Sequence, residues 1–92
     1  MLYKQKQQIL CRQIRFLPET GKMIYLLTED TLPNGESYYS LSIDCDGDAY
    51  LDHKTVQNFT MDRQLALRLF WEICRGTVTP YGLLEVLSEM IP

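Results

Sequence analysis

Residues 21–45 read GKMIYLLTEDTLPNGESYYSLSIDC, two apolar runs flanking Pro33-Asn34-Gly35. Asn-Gly between alternating runs is the strongest short hairpin signal, and a strand turns successive side chains to opposite faces. Taken as a two-residue turn, Asn34-Gly35 sets Leu26 opposite Ile43, Thr28 opposite Leu41 and Ile24 opposite Cys45. Those residues, with Tyr39, then share one inward face. The outward face carries Met23, Tyr25 and Leu27 beside Tyr38, Ser40, Ser42 and, farther on, Tyr50.

The flanking segments extend the same pattern. Upstream, a three-residue Glu19-Thr20-Gly21 loop would set Phe16 against Ile24 and Ile14 against Leu26, although Leu10, Ile14 and Leu17 also suit a helix. Downstream, DCDGDAYLDH (44–53) contains a second turn. An odd loop Asp46-Gly47-Asp48 pairs Ile43 with Leu51 and Cys45 with Ala49, which keeps one inward face, and Asp tolerates the left-handed loop position. The strands expected are about 9–17, 22–30, 37–45 and 49–56.

The same aspartates invite a calcium reading. From Asp44, loop positions 1, 3, 5 and 9 hold Asp44, Asp46, Asp48 and Asp52. Position 6 is Ala49, where the bend needs glycine, and position 12 is Thr55, where an EF-hand loop places its bidentate glutamate. The preceding SYYSLSI is also a strand pattern, not an entering helix. A solvated acidic turn is the better account, and a calcium-responsive or metal-responsive binder is the alternative.

The second half is helical. Thr60 is a candidate N-cap and Asp62 suits the first turn, while Leu65, Ala66, Leu69, Phe70, Ile73 and Cys74 form one broad stripe. Gly76 is expected as a left-handed C-cap. Pro80 opens a second helix with Leu83, Leu84, Leu87, Met90 and Ile91 as its stripe. The expected helices are about 61–75 and 80–91. The fold class is therefore α+β: a four-stranded antiparallel β-meander with two C-terminal α-helices packed on one face, in a single domain spanning 1–92.

GKMIYLLTED, YYSLSI and a helix ending in TVTPYGLLEVLSEMI together resemble a family of short proteins of unknown function from Firmicutes. That pattern has a Tyr-rich strand pair, a helix, a Val-Ser/Thr-Pro turn and a Leu-rich acidic terminal helix. The resemblance covers residues 21 to 91. It implies the fold and brings no catalytic motif.

Composition and chemistry narrow the function by exclusion. The 92 residues carry a net charge of −3 and are 46% hydrophobic, an ordinary globular balance. Cys11, Cys45 and Cys74 are odd in number and widely spaced, neither a disulfide framework nor a zinc motif. With no apolar leader in MLYKQKQQIL and no membrane-length run, a cytoplasmic protein is expected. Five cations oppose one acid in the first 22 residues, and seven acids without Lys or Arg follow in 23–53. Nucleic-acid binding is not favoured: the second helix, PYGLLEVLSEMIP, has no cation and two glutamates that phosphate would repel.

His53 is the one histidine. The register above sets it opposite Leu41 on the inward face, about 14 Å along the strands from Cys45 and too far for a dyad. Phosphate-binding glycine loops, HExxH and GxSxG are absent. No enzyme activity and no cofactor are expected. The function expected is a protein-protein interaction or regulatory module, with homodimerisation its commonest form. Its contact surface would be the outward face, Met23, Tyr25, Leu27, Tyr38 and Tyr50, because tyrosine and methionine are enriched where apolar surface is buried between proteins.

Overall fold

A computed structural model describes residues 6–17, 21–46 and 51–91. Strands β1 (Lys6–Leu17), β2 (Gly21–Thr31), β3 (Ser37–Asp46) and β4 (Leu51–Thr60) form one antiparallel sheet in the order β1-β2-β3-β4. Helix α1 (Arg63–Arg75), a 3₁₀ turn (Pro80–Gly82) and helix α2 (Leu83–Met90) follow and pack on one face. The molecule measures 45 × 31 × 18 Å, flat as expected of a single sheet with one helical layer. Among the described residues no helix is long and apolar enough to cross a membrane.

The β2–β3 hairpin has a different register from the one expected. Thr31 pairs with Ser37, Leu27 with Leu41, Tyr25 with Ile43 and Met23 with Cys45. The turn is odd, not even. The Gly35 amide donates to the Leu32 carbonyl (2.9 Å), the Leu32 amide to the Glu36 carbonyl (2.8 Å), and Gly35 has φ 90°. This is a three-residue Pro33-Asn34-Gly35 loop ending in a left-handed glycine. Pro33 is the reason: its ring presets φ for the first corner of a turn, so the turn begins one residue before Asn34. A slip of one residue exchanges the faces of a whole strand.

Met23, Tyr25 and Leu27 are consequently fully buried, together with Tyr39, Leu41, Ile43 and Cys45, against Ala66, Leu69, Phe70, Ile73, Cys74, Leu83 and Leu87. Placing Met23, Tyr25 and Leu27 on a partner surface is thus corrected: they are the floor of the core. The Tyr25 hydroxyl donates to the Val78 carbonyl (2.9 Å) just past α1, which satisfies a polar group that burial would otherwise penalise.

The outer hairpins also shift. Leu17 pairs with Gly21, Phe16 with Lys22 and Ile14 with Ile24. The expected Phe16–Ile24 pairing is displaced by two residues, which preserves the face. The loop residues 18–20 lie outside the described residues. On the other side Asp46 pairs with Leu51, Asp44 with His53 and Leu41 with Val56. Four residues now separate the strands where three were expected, so His53 lies opposite Asp44 on the face away from the helices. Residues 47–50, Tyr50 among them, lie outside the described residues.

Both helix ends have a finer logic than composition implied. The cap of α1 is Asp62, whose Oδ1 accepts from the Gln64 and Leu65 amides (3.0 and 3.2 Å). Thr60 acts one step earlier, accepting from the Asp62 amide (3.1 Å). At the other end Gly76 is right-handed (φ −78°) and Thr77 takes the left-handed position (φ 51°). The Val78 amide reaches the Ile73 carbonyl and the Thr77 amide that of Cys74, both at 3.2 Å, the double closure of a Schellman motif.

Candidate functional site

Two short helices cover one face of the sheet, and among the described residues no element covers the opposite face. Strand pairing arranges its side chains in rows across the strands. Phe16, Lys22 and Asp46 form the first row. Ile14, Ile24, Asp44 and His53 form the second, and Arg12, Leu26, Ser42 and Thr55 the third. A bulge at Leu10 then resets β1, so that Ile9, Thr28 and Ser40 make the fourth row, followed by Gln7, Asp30 and Tyr38.

Polarity divides this face lengthwise. The β1–β2 half holds Ile9, Ile14, Phe16, Ile24 and Leu26. Phe16 is 76% exposed and Ile9 60%, the others half-buried by their neighbours. The β3–β4 half is hydroxyl, carboxylate and imidazole. Arg12 and Thr28 lie between and beside these apolar residues and Lys22 flanks Phe16; an apolar group with polar neighbours is the composition of a contact surface, whereas single exposed apolar residues are ordinary.

Across the strands, at the end of the face away from Phe16, lies a depression of about 220 Å³ whose lining includes Leu26, Thr28 and Asp30 of β2, Ser40 and Ser42 of β3 and Thr55 of β4. Asp30 is buried, and its Oδ2 accepts from Ser40 Oγ (3.4 Å). Ser40 Oγ also accepts from the Asn58 amide (3.0 Å), at the irregularity where β4 adopts φ 53°. The hollow thus presents one carboxylate among neutral hydroxyls.

Beside the hollow, His53 is held from both nitrogens: Asp44 Oδ1 contacts Nδ1, and Thr55 Oγ1 lies 2.8 Å from Nε2. The order Thr–His–Asp is that of a nucleophile relay, which sequence spacing did not reveal because Asp44 comes from the neighbouring strand. The geometry is that of an open pleated surface: His53 and Asp44 side chains are 58% and 43% exposed. Water at that exposure screens the pair, which orients the ring and contributes little energy. Cys45 lies on the helix side of the sheet and His53 on the other, so the two form no dyad. Burial pushes the Cys74 thiol up to about 11, so it stays protonated and unreactive at neutral pH.

Two aspartates of the acidic turn belong to the described part of β3. Asp44 is engaged with His53, and Asp46 is exposed at the end of β3. Asp48 and the side chain of Asp52 lie outside the described residues. Of the expected contact residues only Tyr38, half-buried and paired with Asp30, belongs to the open face among those described. Of the residues that do form its apolar half, Ile14, Phe16, Ile24 and Leu26 were visible in the sequence as apolar strand positions but were assigned to the core by the turn parity, and Ile9 reaches the face through the bulge at Leu10.

On the helical side, Trp71 (52% exposed), Met61, Tyr81 and Leu84 are also exposed. They come from three separate segments and form no comparable strip.

Neither a curated protein nor a solved structure matches this chain. The model for the Family of unknown function (DUF6514) matches residues 7–92, nearly its whole length and every strand and helix described above. The chain belongs to that family.

Proposed function

We propose that this chain is a small, non-enzymatic, cytoplasmic protein-protein interaction module that binds through the helix-free face of its sheet. The observation that carries this is the strip of Ile9, Ile14, Phe16, Ile24 and Leu26, which no described element covers, while the opposite face carries the core under the helices. Water-exposed apolar area costs about 25 cal/mol per Å², which a partner recovers on binding. The three cysteines are thiols, two of them buried, which accords with a reducing compartment.

The experiment compares tagged wild-type protein with Phe16→Glu on the open face and Trp71→Lys on the helical face, each verified as folded by circular dichroism. Proteins captured by wild type and by Trp71→Lys but lost with Phe16→Glu support the reading. Capture that survives Phe16→Glu and fails with Trp71→Lys places the contact on the helices and sinks it.

A further inference from the structure

We infer that the occupant of the open face is a second copy of this chain, packed face to face about a two-fold axis that runs parallel to the sheet plane, perpendicular to the strands, between the Ile24 and Leu26 rows. This rests on the interaction reading above and names its partner. The argument is the self-complementarity of the rows. Such an axis lays each row on its mirror row while keeping β1 over β1 and β2 over β2, an aligned sheet packing with layers about 10 Å apart.

Ile24 then falls on Leu26 of the second copy, apolar on apolar, while on the edge strand β1 the aliphatic stem of Arg12 falls on Ile14 and its guanidinium can reach the rim. Phe16, at one end of the strip, falls on Ile9 of the second copy, at the other end. These are the two most exposed residues of the strip, and each covers the other. On the polar half, the carboxylate of Asp44 falls opposite Ser42, a hydroxyl donor that a carboxylate can accept from.

Charge supplies the independent observation. Lys22 stands in the Phe16 row at one end of the face, and the hollow over Asp30 lies at the other end. The axis carries the Lys22 ammonium of one copy to the hollow of the other, one row (about 7 Å) beyond its mirror row, within reach of a lysine side chain. The hollow's single carboxylate and its hydroxyls match a primary ammonium. Two such contacts form, one at each end.

The covered face has a flat footprint of about 400 Å² per copy, below the ~800 Å² of a standard interface. A dimer at the weak end is therefore expected, with a Kd in the micromolar range.

The test is sedimentation equilibrium at about 0.1 mM, where a micromolar dimer is well populated. Wild type is expected to be dimeric. Phe16→Glu and Ile9→Lys, each at a water-exposed site that the fold does not need, are expected to weaken the dimer at least about tenfold by burying one unpaired charge at each end. The double variant, carrying Phe16→Glu and Ile9→Lys together, sets the introduced carboxylate against the introduced ammonium at both ends. It is expected to recover most of that loss, now with salt dependence.

A monomeric wild type overturns the inference, and the capture experiment still decides whether the face binds another protein. Single variants that remain dimeric overturn it by excluding the face. A double variant that stays dissociated overturns the pairing that defines the axis.

Discussion

Thr77 holds φ 51°, a region that crowds the Cβ of any L-residue and is worst for a β-branched one. It does so because the α1 exit needs one left-handed residue before Val78 can turn back to the Ile73 carbonyl. Thr77→Gly is therefore expected to raise stability by about 0.5–1 kcal/mol, relief of strain exceeding the extra unfolded-state entropy of glycine. Chemical denaturation checks this, and a loss of stability would mean the threonine side chain contributes more than its strain costs. At this scale the sequence was informative about type and silent about partner. Tyr25 was legible as an amphipathic side chain suited to a half-wet surface. That its hydroxyl is met by Val78 could not be read, because the two lie 53 residues apart. Thr55 and His53, two apart on one strand, were legible as neighbours on one face, but Asp44 joins them only through the β3–β4 register.

At the scale of elements, strands and helices announced themselves through periodicity, and their phase did not. Alternation in β2 is satisfied equally by Met23/Tyr25/Leu27 or by Ile24/Leu26/Thr28, since both sets are compatible with a sheet interior. Only the number of loop residues chooses between them, and Pro33 shifts the turn by one. The helix stripes were unambiguous because 3.6-residue periodicity leaves a polar face with nowhere else to go: Ala66, Leu69, Phe70, Ile73 and Cys74 are the buried face of α1. Caps were legible to within two residues, with Asp62 rather than Thr60 closing the first turn. Asp62→Ala is expected to cost about 1 kcal/mol by leaving the Gln64 and Leu65 amides without their acceptor. A thermal melt reads it, and an unchanged Tm would show that Thr60 takes over the cap.

For the whole molecule, the buried acids of the core link folding to pH. Burial raises Tyr25 to about 12 from 10.0, with Cys74 adding to the rise and the Arg15 guanidinium opposing it. It raises Cys74 to about 11 from 9.0. Both groups are neutral when protonated, so between the ordinary and raised values the unfolded chain has lost protons that the folded chain keeps. Stability is therefore fully present below pH 9 and falls as pH rises through 11 and 12. Melts from about pH 7 to 12 should show this fall, shallower above pH 10 in Tyr25→Phe; a flat profile would mean that these groups ionise without unfolding the core. By itself the sequence determined the fold class: four alternating runs, two amphipathic helices and short turns admit few other arrangements. It also showed that apolar residues outnumber the places one helical layer can cover. Only the tertiary structure decided which face of each strand is core, because a strand has two chemically plausible faces and the choice is made by loop parity and by what the helices touch. Once that choice is made, the strip that no described element covers and the hollow over Asp30 follow from it, and the proposed contact rests on them.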